Sequence, residues 1–177
     1  MTVAQELIGK RLTIGQNDKE HSGILTETEA YVGKDDPACH ASRGRTKRTE
    51  PMFARAGHAY VYLIYGIYHC LNIVTEDEGF PAAVLIRGVL IDRGPLKGTH
   101  LDGPGKLCRD LSITKDKHNG IDIITDQSPL KVYDTALQPK YETRSRIGIS
   151  KGQEKPWRFI MEKETIAQIS AASIESK

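Results

Sequence analysis

The sequence predicts a single α+β domain built mainly from strands. Its apolar residues come in short runs of β-branched and aromatic side chains, and its helix-capable segments are few and short. No internal repeat or low-complexity linker divides its 177 residues. A chain of this length suits one hydrophobic core.

Each element follows from its own residues. Thr2 and Gln5 have capping-box spacing ahead of Leu7 and Ile8, which predicts a short helix ending near Gly9. Arg11 to Ile14 and Ser22 to Val32 read as strands joined by the polar turn GQNDKEH. Gly33 to Pro51 is a long polar loop with little periodicity, a length that in a compact domain points to function or disorder. AYVYLIYGIYHCLNIV reads as a hairpin, and AAVLIRGVLI as a strand apolar enough to be central. After the loop Leu96 to Asp102, GPGKLCRDL is a short helix opened by Gly and Pro. Ile121 to Thr125 and Leu130 to Tyr133 read as strands, RIGIS and PWRFIM as a late strand pair, and ETIAQISAASIESK as a fraying helix.

Composition excludes several classes. With 38% hydrophobic and 27% charged residues the chain reads as soluble and not disordered, and its net charge of +2 gives only a weak overall field for nucleic acid. Cys39, Cys70 and Cys108 lie far apart without CxxC spacing, which points to reduced thiols in a cytoplasmic, intracellular protein. The opening MTVAQELIGK lacks signal-peptide order, and no apolar run reaches the roughly 18 residues of a membrane helix.

Three constellations could carry chemistry. In ILTETEAYV, alternation puts Leu25, Glu27, Glu29 and Tyr31 on one face and the better core set, Ile24, Thr26, Thr28, Ala30 and Val32, on the other. A carboxylate beside a phenol suits a base-binding pocket or a general base, and equally suits a solvated edge. Arg43, Arg45, Lys47, Arg48 and Arg55 lie in one stretch against the single acid Glu50, enough to neutralise several phosphates or simply to solvate a loop. In the hairpin, a two-residue Tyr65-Gly66 turn would pair Ile64 with Ile67, Leu63 with Tyr68 and Tyr62 with His69. An aromatic core explains Tyr60, Tyr62 and Tyr68, but not Tyr65 at the tip. Aromatic wedges on hairpins can fill a gap in a base stack.

Glu27, Glu29, Asp35, Asp36 and His40 leave open a metal-dependent nuclease, although Cys39-His40 is adjacent rather than spaced for zinc. No P-loop, dinucleotide fingerprint or nucleophile elbow is present. A non-catalytic binder of distorted DNA is the other alternative.

ETEAY with a histidine nine residues beyond its tyrosine, then YVYLIYGIYHCLN, an arginine closing VLIR, and GPGKLC together resemble the alkyladenine (3-methyladenine) DNA glycosylase family, from the first helix to about PWRF. The absence of a long basic N-terminal extension makes the chain similar to bacterial members. The resemblance implies a single mixed domain around a curved antiparallel sheet, with a protruding hairpin that inserts into double-stranded DNA containing damaged purines. It implies that Glu29 is the base that activates water and that Arg87 helps hold that water. Tyr31, His40 and Tyr62 would wall the pocket for the extruded base, Asn72 would crowd the exocyclic amine of normal guanine, and Tyr65 would fill the vacated stack. Arg45 and Arg48 fall in the family's phosphate-contacting loop, here slightly differently spaced, and Gly105 stands where some members carry serine. The aligned motif offers no lysine at the point of attack. The expectation is therefore a monomeric, cofactor-free and metal-free enzyme acting by simple hydrolysis.

Overall fold

In the computed structural model, residues 1–15 and 20–175 are described; the middle of the turn expected at GQNDKEH lies outside them. Among these residues nine strands form one sheet with path β3-β4-β5-β2-β1-β7, all neighbours antiparallel, curled into a half-barrel. The strands are β1 Arg11–Ile14, β2 His21–Val32, β3 Ala59–Ile64, β4 Tyr68–Val74, β5 Ala82–Arg93, β6 His100–Asp102, β7 Leu130–Tyr133, β8 Tyr141–Arg144 and β9 Arg158–Met161. The helices are α1 Thr2–Glu6, α2 Pro104–Asp110, α3 Lys115–His118 and α4 Lys163–Glu175. The α+β reading holds.

The twelve-residue strands β2 and β5 form the spine. One side of β2 meets β5; the other meets β1 and, further along, β9. β5 is buried through ten consecutive residues, as its apolar run predicts for a central strand. Two glycines let the spine close. A Cβ on Gly23 would lie 2.5 Å from the Leu90 carbonyl oxygen, and one on Gly88 would lie 2.5 Å from Thr26 Oγ1. Register shifts around Glu27 mark a bulge opposite Gly88. It breaks the alternation expected for β2, so Leu25 joins the main core instead of sharing the face of Glu27 and Glu29.

Other expectations shift. Met1, not Thr2, caps α1, and no side chain bonds the cap. The long polar loop folds as two 3-10 turns, His40–Arg43 and Glu50–Phe53, over a small second core of Cys39, Ala41, Met52, Phe53, Tyr60, Val74 and Ala83. The expected strand Ile121–Thr125 contributes only the bridge His58–Asp122. RIGIS is a loop, and the partner of β9 is β8, whose sequence YETR is too polar to announce a strand.

The hairpin turn has the expected bond, Ile67 N–H to Ile64 C=O, with positive φ at both Tyr65 and Gly66. The ladder below it is one residue out from expectation. Ile64 pairs with Tyr68, Leu63 with His69 and Tyr62 with Cys70. Since a one-residue slip reverses every side chain of a strand, this puts Tyr68, Cys70 and Asn72, rather than His69, on the face of Tyr60 and Tyr62.

Candidate active site

Register alone assembles the site. Residues opposite one another in antiparallel strands share a face. Tyr60 faces Asn72, Asn72 faces Leu85, and Leu85 faces Glu29. Stepping two residues along each strand adds Tyr62, Cys70, Arg87 and Tyr31. This face, across β3, β4, β5 and β2, floors a cavity of about 500 Å³ closed at its sides by His40, Pro104, Gly105 and the loop Ile147–Lys151. Tyr65, 85% exposed, stands at its mouth.

Glu29 lies beneath the floor and is wholly buried. Tyr31 O–H donates to Oε2 at 2.8 Å and Ile147 N–H to Oε1 at 2.7 Å, while Arg87 Nε sits 3.5 Å from Oε1. One lone pair on each oxygen is thus engaged and acceptor capacity remains. Burial raises the Glu29 pKa above its ordinary value; Arg87, the Ile147 amide and the Tyr31 hydroxyl oppose it, and Glu27 adds to it. The solvated-edge alternative is therefore excluded for Glu29. Arg87 lines the cavity and directs its own hydrogen bond to Glu27 Oε1 at 2.8 Å, an oxygen that also accepts from Arg158 at 3.1 Å. Two acids share the Arg87 guanidinium.

Tyr31, His40, Tyr62 and Asn72 are brought together as expected. His40 meets Tyr62 edge-on with centroids 4.5 Å apart and hydrogen-bonds the Tyr60 hydroxyl at 3.0 Å. Burial of its ring, with Arg48 nearby, pushes its pKa below the ordinary histidine value, so it is neutral at pH 7. Burial also raises the Tyr31 and Tyr62 phenols, and Tyr60 to about 12, so all three stay protonated. Asn72 donates to the Tyr60 carbonyl at 3.0 Å. Gly105 packs on Tyr68, where a Cβ would stand 3.1 Å from the tyrosine's own, so a side chain there would press on the cavity wall.

The basic loop is less free than its composition implies. Arg45 forks onto Glu50 at 2.8 and 2.6 Å, and Arg55 pairs with Asp122. Arg48 lies 5.4 Å from the Tyr62 ring centre. Behind Tyr31, the buried Arg146 guanidinium lies 4.7 Å from the ring centre. Both rings expected to clasp a base already hold a cation within cation–π range, which weakens their pull on a second one. Sequence reasoning missed Arg146 and the Ile147 amide. RIGIS carries no motif, and only long-range packing brings it over Glu29.

The acids and His40 that could have formed a metal site do not converge. Asp36 is held by Arg146, and Glu27 and Glu29 by Arg87. Among the described residues no group of three or more His, Cys, Asp or Glu could hold a metal ion, and no helix is long and apolar enough to cross a membrane.

Fold and site define an α+β domain that can hold a flat group over a buried acid–arginine cluster, beside an exposed aromatic tip. Residues 1–165 match the model of the methylpurine-DNA glycosylase family. A relative from Ehrlichia chaffeensis is 53% identical over 91% of this chain and 87% of its own. One from Wolbachia pipientis subsp. Culex pipiens is 56% identical over 90% and 82%, and one from Sodalis glossinidius 53% identical over 90% and 89%. Each bears the name "Putative 3-methyladenine DNA glycosylase". The chain belongs to the methylpurine-DNA glycosylase family.

Proposed function

We propose that this chain is a monofunctional, monomeric DNA glycosylase that initiates base excision repair by hydrolysing the N-glycosidic bond of alkylated or deaminated purines, the class of 3-methyladenine, 7-methylguanine, hypoxanthine and ethenoadenine. One observation carries the reading: a wholly buried carboxylate, held by Arg87, directly beneath an aromatic cavity that opens beside Tyr65.

The target bond is out of reach inside a duplex, so the nucleotide must rotate out at a cost of a few kcal/mol, least for damaged or mispaired bases. Tyr65 offsets part of that cost by entering the vacated stack. Tyr31, His40 and Tyr62 wall the extruded base, and Asn72 crowds the exocyclic amine of guanine. With Arg146 and Arg48 already on the two rings, the gain for a cationic base falls toward the low end of roughly 0.5–2 kcal/mol. Preference for alkylated bases then rests on how readily they leave.

Water beside Arg87 gives a proton to Glu29 as its oxygen bonds the anomeric carbon and the bond to the base breaks. Its raised pKa makes Glu29 a stronger base while it remains ionised. An alkylated, cationic purine departs neutral; a neutral purine must take up a proton as it leaves.

Incubating lesion-bearing duplexes with the protein in EDTA should release free base and leave an abasic site. Glu29→Gln should lower release about 100- to 10,000-fold while lesion binding stays within several-fold. Chelator-sensitive backbone cutting would favour the nuclease, binding without release the passive binder, and a borohydride-trapped adduct would refute simple hydrolysis. Sedimentation with and without DNA tests the monomer.

A further inference from the structure

The two hydrogen-bond donors to Glu29, the Ile147 amide and the Tyr31 hydroxyl, both adjoin Arg146, which takes no part in the bond-breaking step above. Arg146 and Asp36 are paired with both side chains fully buried, the guanidinium forking onto the carboxylate at 2.6 and 2.8 Å. Arg146 Nη1 also donates to the Ala30 carbonyl at 2.9 Å, which ties the loop to β2 beside Glu29. The flat guanidinium lies against Tyr31 at 4.7 Å and Trp157 at 5.1 Å. Asp36 in turn accepts from the Val32 and Ala38 amides, at 3.3 and 3.2 Å. Gly152 leaves room for the pair, since a Cβ there would lie 3.1 Å from Arg146 Nη2. The residue after Arg146 is Ile147, whose amide bonds Glu29 Oε1, and the ring that Arg146 backs is Tyr31, whose hydroxyl bonds Oε2.

A buried ion pair returns little net stability, because desolvation of both charges offsets their attraction. Arg146 Nε, moreover, is buried with no hydrogen-bond partner among the described residues. Stability alone is a poor account of such an arrangement; its geometric effect is specific. We propose that the Asp36–Arg146 pair is a positioning element that locks the Ile147 amide and the Tyr31 hydroxyl onto Glu29, and so sets how readily this carboxylate ionises. The proposal rests on Glu29 being the base, and deepens that reading.

The charged and titratable groups around Glu29 are Glu27 and Tyr31 on its own strand, Arg87 on β5, Cys70 on β4, Arg158 opposite it on β9, and Arg146 in the loop. Of these, Tyr31 touches the pair directly through the Arg146 guanidinium, and Arg158 is tied to the same loop through the Ser145 carbonyl at 2.8 Å. The Ile147 amide and the Tyr31 hydroxyl both stabilise the ionised form, so their release leaves burial less opposed and Glu29 holds its proton to higher pH.

The test uses Arg146→Lys, which keeps the charge but not the fork, and Asp36→Asn. In each, the acidic limb of the single-turnover rate of base release should move up by about one pH unit, the equivalent of one charge-assisted hydrogen bond. Below the wild-type limb the rate should fall about tenfold, with lesion binding within several-fold of wild type. The ¹³C titration of the Glu29 carboxylate should move by the same interval, independently of activity. An unmoved limb and an unmoved titration would overturn the proposal. In wild-type protein, which needs no variant to fold, the Ile147 amide should exchange slowly although its residue is 50% exposed; fast exchange would also overturn it. Should Glu29→Gln retain full base release, the base assignment fails while the titration and exchange still judge the positioning claim.

Discussion

At Glu29 burial and function pull against stability. The folded protein holds this proton more tightly than the unfolded chain does, so between the ordinary 4.5 and the raised folded value the native state binds more protons. The stability so contributed is present at low pH and lost as pH rises through the folded value. Glu29→Gln should therefore melt at or above the wild-type temperature at pH 7, with the gap closing toward pH 4.5; scanning calorimetry across that range checks it. The same ionisation should set the acidic limb of base release for every substrate. A neutral lesion such as hypoxanthine also needs a proton on the departing base, so its release should fall again at high pH, whereas that of a cationic lesion should level off. Identical profiles for the two would refute this account of the leaving group. The residue types for this chemistry were legible in ETEAY; the raised pKa was not, because it arises from burial beneath a loop more than a hundred residues away.

At the scale of the element, the hairpin and the spine make opposite demands. Tyr65 has positive φ and is 85% exposed, so it contributes little to the core. Tyr65→Ala should change urea stability by no more than about 0.5 kcal/mol. It should slow base release from duplex roughly 5- to 150-fold, the equivalent of the 1–3 kcal/mol of one lost aromatic–base stack, and leave a single-stranded lesion nearly unaffected. Gly88 is the reverse case. An added methyl would meet Thr26 Oγ1 at 2.5 Å and the Glu27 backbone nitrogen at 3.1 Å. Gly88→Ala should therefore cost about 1–3 kcal/mol in urea denaturation, through overpacking at the bulge that aims Glu27 and Glu29. The hairpin and both spine strands could be read from composition, but the one-residue register error could not be avoided. Tyr65-Gly66 sets the turn bond without setting the pairing beneath it, and that pairing decides whether Cys70 or His69 faces the cavity.

For the whole molecule the charge distribution matters more than the net +2. Of the five cations between Arg43 and Arg55, Arg45 and Arg55 are already in ion pairs. If the remaining three meet phosphates, a plot of log affinity against log salt should be no steeper than about −3. Fluorescence anisotropy between 50 and 200 mM salt, ranges over which such binding falls measurably, checks this; a much steeper slope would mean that Glu50 and Asp122 release their partners on DNA.

Consecutive residues carry the strand-rich class, the central strand, the aromatic hairpin with its exposed tip, and the carboxylate beside a phenol at Glu29 and Tyr31. The choice of His40, Tyr62, Asn72 and Arg87 comes instead from the resemblance of the motifs to the family. Only the folded chain shows that RIGIS is a loop over Glu29 and that Arg87 stands between two acids. Only it could show that Arg146 joins Asp36 across 110 residues and backs Tyr31. Those contacts depend on how far the sheet curls and where the bulge at Glu27 turns it, and no local pattern of residues encodes either.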